Sequence, residues 1–542
     1  MTKDAGQRKE TPHGNTAAEA GPSTRPFFAY LIITAAVCGA LIMVVEVLGS
    51  RVLGPFYGVS LFVWTSLITV TLVALAGGYA AGGILSDRRS SPDYLYGIIF
   101  LAGVLVLFVP LLKAPVLQVC LSLGLRAGSL ASAFCLFGPS LFLLGCVSPY
   151  IVRIAAREMA NIGRTVGMFY AVSTVGSFLG TLVTGFVLIA YLGVNRILLL
   201  VGVVLIVLAA GYFLAFRKRW QVFAAVLVLP LMLTSTGGTV TRTLPNGTTV
   251  SRIFDTDSFY GNLKVVDYSF GTAHTRELMI DGLIQGGVDL NSGLSVYEYA
   301  YLMEYIPRLL RPDGRTCLVV GLGAGVVPLW YEQQGVRVDV VDIDPAVPEI
   351  ARRFFGFHVS GDVVISDARY FLGRTEKRYD YIVLDVFNGD TTPGHVLSIE
   401  AVRLLKARLA DRGILAINLA GSLKTENYMT ASVVKTLRAA FRNVQIYPAF
   451  DPDDERGWGN LGIMAYDFPA ATVDRGKLAR LPVHALAAKS LSPVIGTTFT
   501  FPEQTPSIVL SDDYNPIDFY DLWLKENIRR EILKSTNWDI LI

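Results

Sequence analysis

The sequence is short of charge. Asp, Glu, Lys and Arg make up 17 % of its 542 residues while 52 % are hydrophobic, and the apolar excess is concentrated before residue 236. That balance excludes a wholly soluble chain, since soluble domains carry about a quarter charged residues. The length also exceeds what one core supports, because domains stop growing at roughly 250 residues. A membrane part and a globular part are therefore expected. An excess of one sign is lacking too: a net charge of +3, with no basic patch of nucleic-acid size, excludes nucleic acid as a partner. Cysteine is scarce and unpatterned. Cys38, Cys120, Cys135 and Cys146 fall in apolar segments and Cys317 opens a β-type run. None pairs at metal-ligand spacing, so no metal site is expected and they read as small core hydrophobes.

Residues 1–25 are polar, rich in Gly, Pro and Thr, and without apolar periodicity, which predicts a disordered tail. No signal-peptide pattern precedes the first apolar run, which begins at Phe27. Runs at 27–48, 60–81, 94–112, 130–151, 166–192, 197–216 and 222–233 are measured against a need of about 20 residues per span. They predict a multi-pass domain over 26–236 in the cell membrane, the lipid bilayer its partner, with seven spans. The seventh is short and carries Pro230; 114–125 is too short to count and is left as a re-entrant candidate. Basic residues follow alternate runs: Arg88 and Arg89, then Arg153, Arg157 and Arg164, then Arg217, Lys218 and Arg219. The positive-inside rule makes those loops and the N terminus cytoplasmic. If the seventh run crosses completely, everything after it lies outside; if it does not, the C-terminal half faces the cytoplasm.

Two features inside the runs stand out. Gly176 and Gly180, with Thr181, Thr184 and Gly185, form a small-residue face that lets a neighbouring helix approach closely. Glu46 is a carboxylate in an apolar run, where it needs a partner or a cavity, and Arg51 is the candidate partner.

Residues 234–251 are Gly, Thr and Pro-Asn-Gly material, which reads as a linker, assigned to 237–252. A β-hairpin section follows over 253–310 and an α/β domain over 311–542. From Thr316, short β-branched runs (TCLVVGLG, VRVDVVDID, DVVISD, YDYIVLDVF, GILAINLA) alternate with helical stretches. That alternation predicts a Rossmann-like, methyltransferase-type parallel sheet, with ligands beyond the strand carboxyl ends.

The chemistry-bearing residues sit at those ends. Gly321, Gly323 and Gly325 follow one strand and open a helix, where absent side chains let backbone approach a ligand. Asp342, about 20 residues on, is placed to accept from ribose hydroxyls. A dinucleotide fingerprint would require glycine at 326, which is Val326. Asp367-Ala368 adds an acidic group suited to an adenine edge. Together these favour an adenosyl ligand without pyrophosphate, although strand-end aspartates also cap the helices that follow them. The stretch Asp385 to His395, containing Asn388, Asp390 and Pro393, stands where an acceptor would meet the donor. A carboxylate at Asp385 can hold an amine nucleophile and take its proton. His395 reads as a loop hydrogen-bonding residue or a catalytic group. Tyr297, Tyr299, Tyr301 and Tyr305 read as core packing or an ammonium cage, and residues 520–538 as a surface helix.

These residues resemble the spermidine synthase (polyamine aminopropyltransferase) family, in its branch fused to N-terminal membrane helices. The family's L-D-G-x-x-Q is matched by Ile280, Asp281, Gly282 and Gln285. Its glycine loop, ribose acid, Asp-Ala pair and strand-end aspartate are matched by Gly321 to Gly325, Asp342, Asp367-Ala368 and Asp385. The Glu46 to Arg51 stretch, Gly82-Gly83, Asp87-Arg88 and the Ser511 to Pro516 motif are similar to the fused branch. The resemblance implies transfer of an aminopropyl group from decarboxylated S-adenosylmethionine, as co-substrate and with no bound cofactor, to a polyamine. Gln285, the three glycines, Asp342, Asp367 and Ala368 would serve the donor; Asn388, Asp390 and Pro393 would serve the acceptor.

Departures fall on the acceptor side. The family's Tyr-His-Glu is Tyr299-Ala300-Tyr301, its glycine-loop aspartate is Ala324, the partner of the catalytic aspartate is Asn388, and an early glutamine is Gly261. Each lost carboxylate weakens the field that would hold a dication. A related transferase using S-adenosylmethionine or another acceptor stays open. So does a transporter or sensor whose soluble half binds a nucleoside, and so does a homo-oligomer.

Overall fold

The structure, a computed structural model, describes residues 25–58, 61–156, 162–218, 240–387 and 392–535. Six described helices are long and apolar enough to cross a membrane. They are α1 (Arg25–Tyr57), α2 (Leu61–Arg88), α3 (Pro92–Leu121), α4 (Leu125–Ala156), α5 (Ile162–Val183, continued by a π-helical turn) and α6 (Val194–Arg217). The expected tail and the expected seventh span, 222–233, lie outside the described residues. Residues 114–121, set aside as re-entrant, simply continue α3 past Pro110 and Pro115; neighbouring helices and local adjustment accommodate proline in apolar helices.

Where lipid and side chain are equally apolar, close backbone packing holds helices together. A Cβ on Gly176 would stand 2.1 Å from the Ala36 carbonyl oxygen of α1, and one on Gly180 2.4 Å from that of Ala40. The small-residue face thus seats α5 on α1. Arg51 does not pair with Glu46: its guanidinium donates to the Phe259 carbonyl of the soluble half. That contact lies one and a half turns further along α1, beyond reach of a Glu46 pairing that would keep both charges among the helices.

The helices have two distinct ends. At one, Phe27 of α1 meets Phe216 of α6 (ring centroids 5.4 Å) and Arg217 pairs with Asp93 of α3 at 2.6 Å. Arg153 and Asp87 meet at 3.3 Å where α4 and α2 finish. At the other end Arg51, Arg126 and Val194 reach the soluble half, Arg126 through Glu526 at 2.5 Å and the Val194 N–H through Asp257 at 2.9 Å. The basic residues Arg88, Arg89, Arg153 and Arg217 therefore sit away from the soluble half.

That half opens with a five-stranded antiparallel meander: β1 (Val240–Thr243), β2 (Thr249–Asp257), β3 (Asn262–Phe270), β4 (Ala273–Ile280) and β5 (Leu283–Asp289). Here the linker expectation is corrected. Thr243 pairs with Thr249 across a Pro-Asn-Gly turn, because Thr and Val flanking such a turn favour a hairpin over a free linker. Val250, Val266 and Met279 of the meander join the apolar cluster of the helices.

The second sheet has the order β11-β12-β10-β9-β6-β7-β8. Its parallel core is β6 (Thr316–Val320), β7 (Arg337–Asp342), β8 (Val363–Ile365), β9 (Tyr379–Leu384) and β10 (Leu409–Ser422). β11 (Asn443–Pro448) and β12 (Trp458–Tyr466) complete it, β12 running antiparallel to both neighbours. The five runs read from the sequence are the five parallel strands, and order reverses between β6 and β9, the switch point where such folds bind ligands.

The C-terminal helix, Leu522–Ser535, is not a surface element. Leu524 and Leu533 are buried, and Arg529 is 1 % exposed, donating to the carbonyls of Pro55 (3.2 Å) and Asp281 (3.1 Å). Mixed composition hides this burial, because the face it covers is supplied by α1, nearly 500 residues away in the chain.

Candidate active site

A cavity of about 700 Å³ lies beyond the carboxyl ends of the parallel strands, within the range of small-molecule sites. Gln285, Gly321, Gly323 and Asp342 line it, as do Asp367, Ala368, Asp385 and Pro393. Gly325 does not; it begins a helix at φ +78° with Phe357 against its α-carbon. Asn388 and Asp390 lie outside the described residues.

The glycines are dictated by close approach. A Cβ on Gly321 (φ +88°) would stand 2.1 Å from the Asp385 carbonyl oxygen, and one on Gly323 (φ +52°) 2.4 Å from that of Gln285. The loop after β6 thus interlocks with both the strand end carrying Asp385 and the hairpin carrying Gln285. That hairpin turns through Asp281 (φ +47°) and Gly282 (φ +73°), the Asp-Gly pair that two-residue turns of this hand prefer. The Asp281 carboxylate accepts from the Asn262 N–H at 3.0 Å.

Asp342 accepts from the backbone N–H groups of Leu322 (2.8 Å) and Asp344 (2.9 Å). Burial outweighs those bonds and pushes it up to about 6. Asp367 does cap the helix after it, accepting from the Tyr370 N–H at 2.9 Å, yet its other oxygen faces His395 Nε2 at 3.5 Å. His395 itself lines the cavity. Asp385 is pushed up to about 6 by burial, against the lowering effect of its bond from Asn418 Nδ2 at 2.8 Å.

Two contributors, Asn418 and Asp344, were missed, and the Ser511 to Pro516 motif was quoted without a place in the site. Asn418 is 2 % exposed and carries a buried Oδ1 with no partner; a lone amide inside the apolar run ILAINLA was a readable signal. Asp344 accepts from the Ser258 hydroxyl at 2.6 Å, tying the meander to β7. The Ser511 to Pro516 motif braces the loop beyond β9: Asp512 takes two bonds from Arg369 (2.8 and 2.7 Å), which hold it down at about 2, and Asn515 donates to the Gly394 carbonyl at 2.6 Å. Of the tyrosines, Tyr301 and Tyr305 are core residues, whereas Tyr297 and Tyr299 line the cavity. Tyr297 donates to Glu277 at 2.5 Å, a carboxyl that burial pushes up to about 7.

Two further walls are unexpected. Ser50 and Arg51 of α1 with Trp64 of α2 form one; Ile528 and Ile532 of the C-terminal helix form the other. Glu298, raised by burial, and Arg456, whose guanidinium lies 4.0 Å over the Trp458 ring, also line the cavity.

Parts of this half are similar to known proteins. The family model for the spermine/spermidine synthase domain matches residues 281–469. An N-terminal histidine N-methyltransferase of Emericella nidulans is 34 % identical over 29 % of this chain and 30 % of its own length. A polyamine aminopropyltransferase of Vibrio vulnificus is 32 % identical over 26 % of this chain and 48 % of its own. The chain thus spans less than half the length of either relative. A crystal structure of a probable spermidine synthase from Corynebacterium glutamicum aligns at TM-score 0.37 and 17 % identity, over 50 % of this chain and 99 % of that one. Residues 281–469 thus match a spermine/spermidine synthase domain, which lies in the C-terminal half of this chain behind six apolar helices.

Proposed function

We propose that the protein is a membrane-spanning transferase that moves an aminopropyl group from decarboxylated S-adenosylmethionine to an amine. The observation that carries this is that Gln285, Asp342, Asp367 and Asp385 line one cavity; on this reading the first three serve the donor and Asp385 stands between donor and acceptor. Ribose hydroxyls would donate to Asp342, the adenine edge would meet Asp367 and Ala368, and Asp385 would take the amine proton as the carbon–nitrogen bond forms. Positioning then supplies most of the rate.

Methyl transfer from S-adenosylmethionine is the second reading. It is favoured by the methyltransferase relative. Incubating purified protein with each donor and a mixture of primary amines separates the two. Methylthioadenosine is the expected nucleoside product; S-adenosylhomocysteine alone would replace the first reading by the second. The cavity between α1, α4 and α5 is about 10 Å³, roughly room for one water, and lends transport no support.

Charge supports one orientation. Arg88, Arg89, Arg153 and Arg217 lie at the end away from the soluble half, which by the positive-inside rule favours an outer-side position for that half. A reporter fused at Asn246 is expected to be active only if it requires export; cytoplasmic activity would reverse the orientation.

A further inference from the structure

The cavity reaches beyond the two sheets. It continues to the ends of α1 and α2, where Trp64 is 42 % exposed in the first turn of α2, and to Ile528 and Ile532, one turn apart on the C-terminal helix. An exposed tryptophan at the end of an apolar helix occupies the level of lipid headgroups, where an amphipathic ring is favoured. Two isoleucines facing a cavity at that level offer contact to hydrocarbon chains.

Charge points the same way. The cavity lining includes the carboxylates of Asp281, Asp342, Asp344, Asp367, Asp385 and Glu298, and Arg456 stands beside Glu298 and over Trp458. Arg51 lies at the α1 wall with Asp281 as its Coulombic partner. A molecule with one amine and one phosphodiester has a partner for each group: a carboxylate at Asp385 for the amine, and Arg456, whose planar fork suits phosphate oxygens, for the phosphate.

We propose that the acceptor is the amine headgroup of a glycerophospholipid, entering from the membrane between Trp64 and the Ile528–Ile532 face. The inference rests on the transferase reading above. In the step, the amine lone pair attacks the carbon attached to the donor sulfonium as the carbon–sulfur bond breaks. The bond pair goes to sulfur, leaving a neutral thioether nucleoside, and the displaced amine proton goes to Asp385.

The test uses the full chain in nanodiscs of phosphatidylethanolamine or of phosphatidylcholine alone, with decarboxylated S-adenosylmethionine and, separately, S-adenosylmethionine. Nucleoside product and lipid mass are followed together. Phosphatidylethanolamine is expected to gain the mass of the transferred group, at least about tenfold faster than putrescine or glycerophosphoethanolamine reacts in phosphatidylcholine discs. Trp64→Ala and the double change Ile528→Ser, Ile532→Ser should each slow lipid transfer about tenfold while methylthioadenosine still binds, which shows the variants folded. Arg456→Glu should slow lipid transfer and favour putrescine. Putrescine modified with the lipid untouched overturns the inference and leaves the transferase standing. Equal modification of the soluble headgroup overturns the membrane source. Absence of nucleoside product with every acceptor, despite methylthioadenosine binding, overturns the transferase reading itself.

Discussion

Asp385→Asn is expected to lower turnover about a thousandfold, the middle of the range for a removed general base, with donor affinity nearly unchanged. Asparagine keeps the shape and the bond to Asn418 but cannot take a proton. The pH profile gives the sharper reading. Burial raises Asp385 to about 6, and the working form is the carboxylate. In the wild-type protein kcat/KM should therefore be level above about pH 6 and fall about tenfold per unit below it. The positive sulfonium of a bound donor favours the carboxylate, so the limb in kcat should lie lower than the limb in kcat/KM. Asn418→Leu removes the bond that lowers Asp385, and its limb in kcat/KM should move to higher pH. A purely structural role for Asn418 would leave the limb where it was.

Stability has the opposite sign to activity at this residue. The folded value of Asp385 lies above its ordinary 3.8, so the folded state holds the proton more tightly than the unfolded chain. The group then costs stability progressively as pH rises from about 4 to 6, and fully above that. Asp385→Asn removes this cost, so the inactive variant should melt no lower than wild type at pH 8 and higher if anything. A lower Tm there would mean that the carboxylate is a structural anchor.

The second large effect is expected at Arg529. Its buried guanidinium joins three segments: the C-terminal helix, the end of α1 through Pro55, and the Asp281-Gly282 turn that sets the hairpin of Gln285. Arg529→Leu should cost about 3 kcal/mol, from two charge-assisted bonds whose carbonyls are left without their donor. It should also weaken donor binding, because Gln285 lies four residues beyond the turn residue that Arg529 holds. Arg530→Ala is the control. Arg530 is 55 % exposed and its contact to Glu526 is 3.8 Å, so its loss should cost no more than about 0.5 kcal/mol. Thermal unfolding in detergent and methylthioadenosine binding check both. Equal melting of the two variants would mean that the soluble half does not depend on this tie.

The donor side was legible because its residues answer to local rules. A strand followed by glycines, then an acid at each following strand end, places ligand groups at a parallel sheet's carboxyl edge whatever the rest of the chain does. Gly321, Gly323, Asp342, Asp367 and Asp385 reached the same cavity for that reason. Gly325 shows the limit of the pattern: the same left-handed turn that opens a helix was read as ligand contact, yet it faces Phe357. Asn418 shows another, since a single amide in a buried strand signals itself while its partner does not. The β1–β2 hairpin was passed over because Thr-rich turn sequence resembles linker composition until its strands find each other.

The sequence by itself determined the division into apolar helices and an α/β half, the five parallel strands, and the acids that gather at their ends. Each of these depends on periodicity or on neighbours within a few dozen residues. Only the tertiary structure decided that α1, α2 and the C-terminal helix form part of the cavity wall. Arg51, Trp64, Ile528 and Ile532 carry no shared motif, and they meet because the helix ends and the chain's last turns bury one another. Burial of that kind is a property of facing surfaces, and no local pattern records which distant surface a mixed-charge helix will cover.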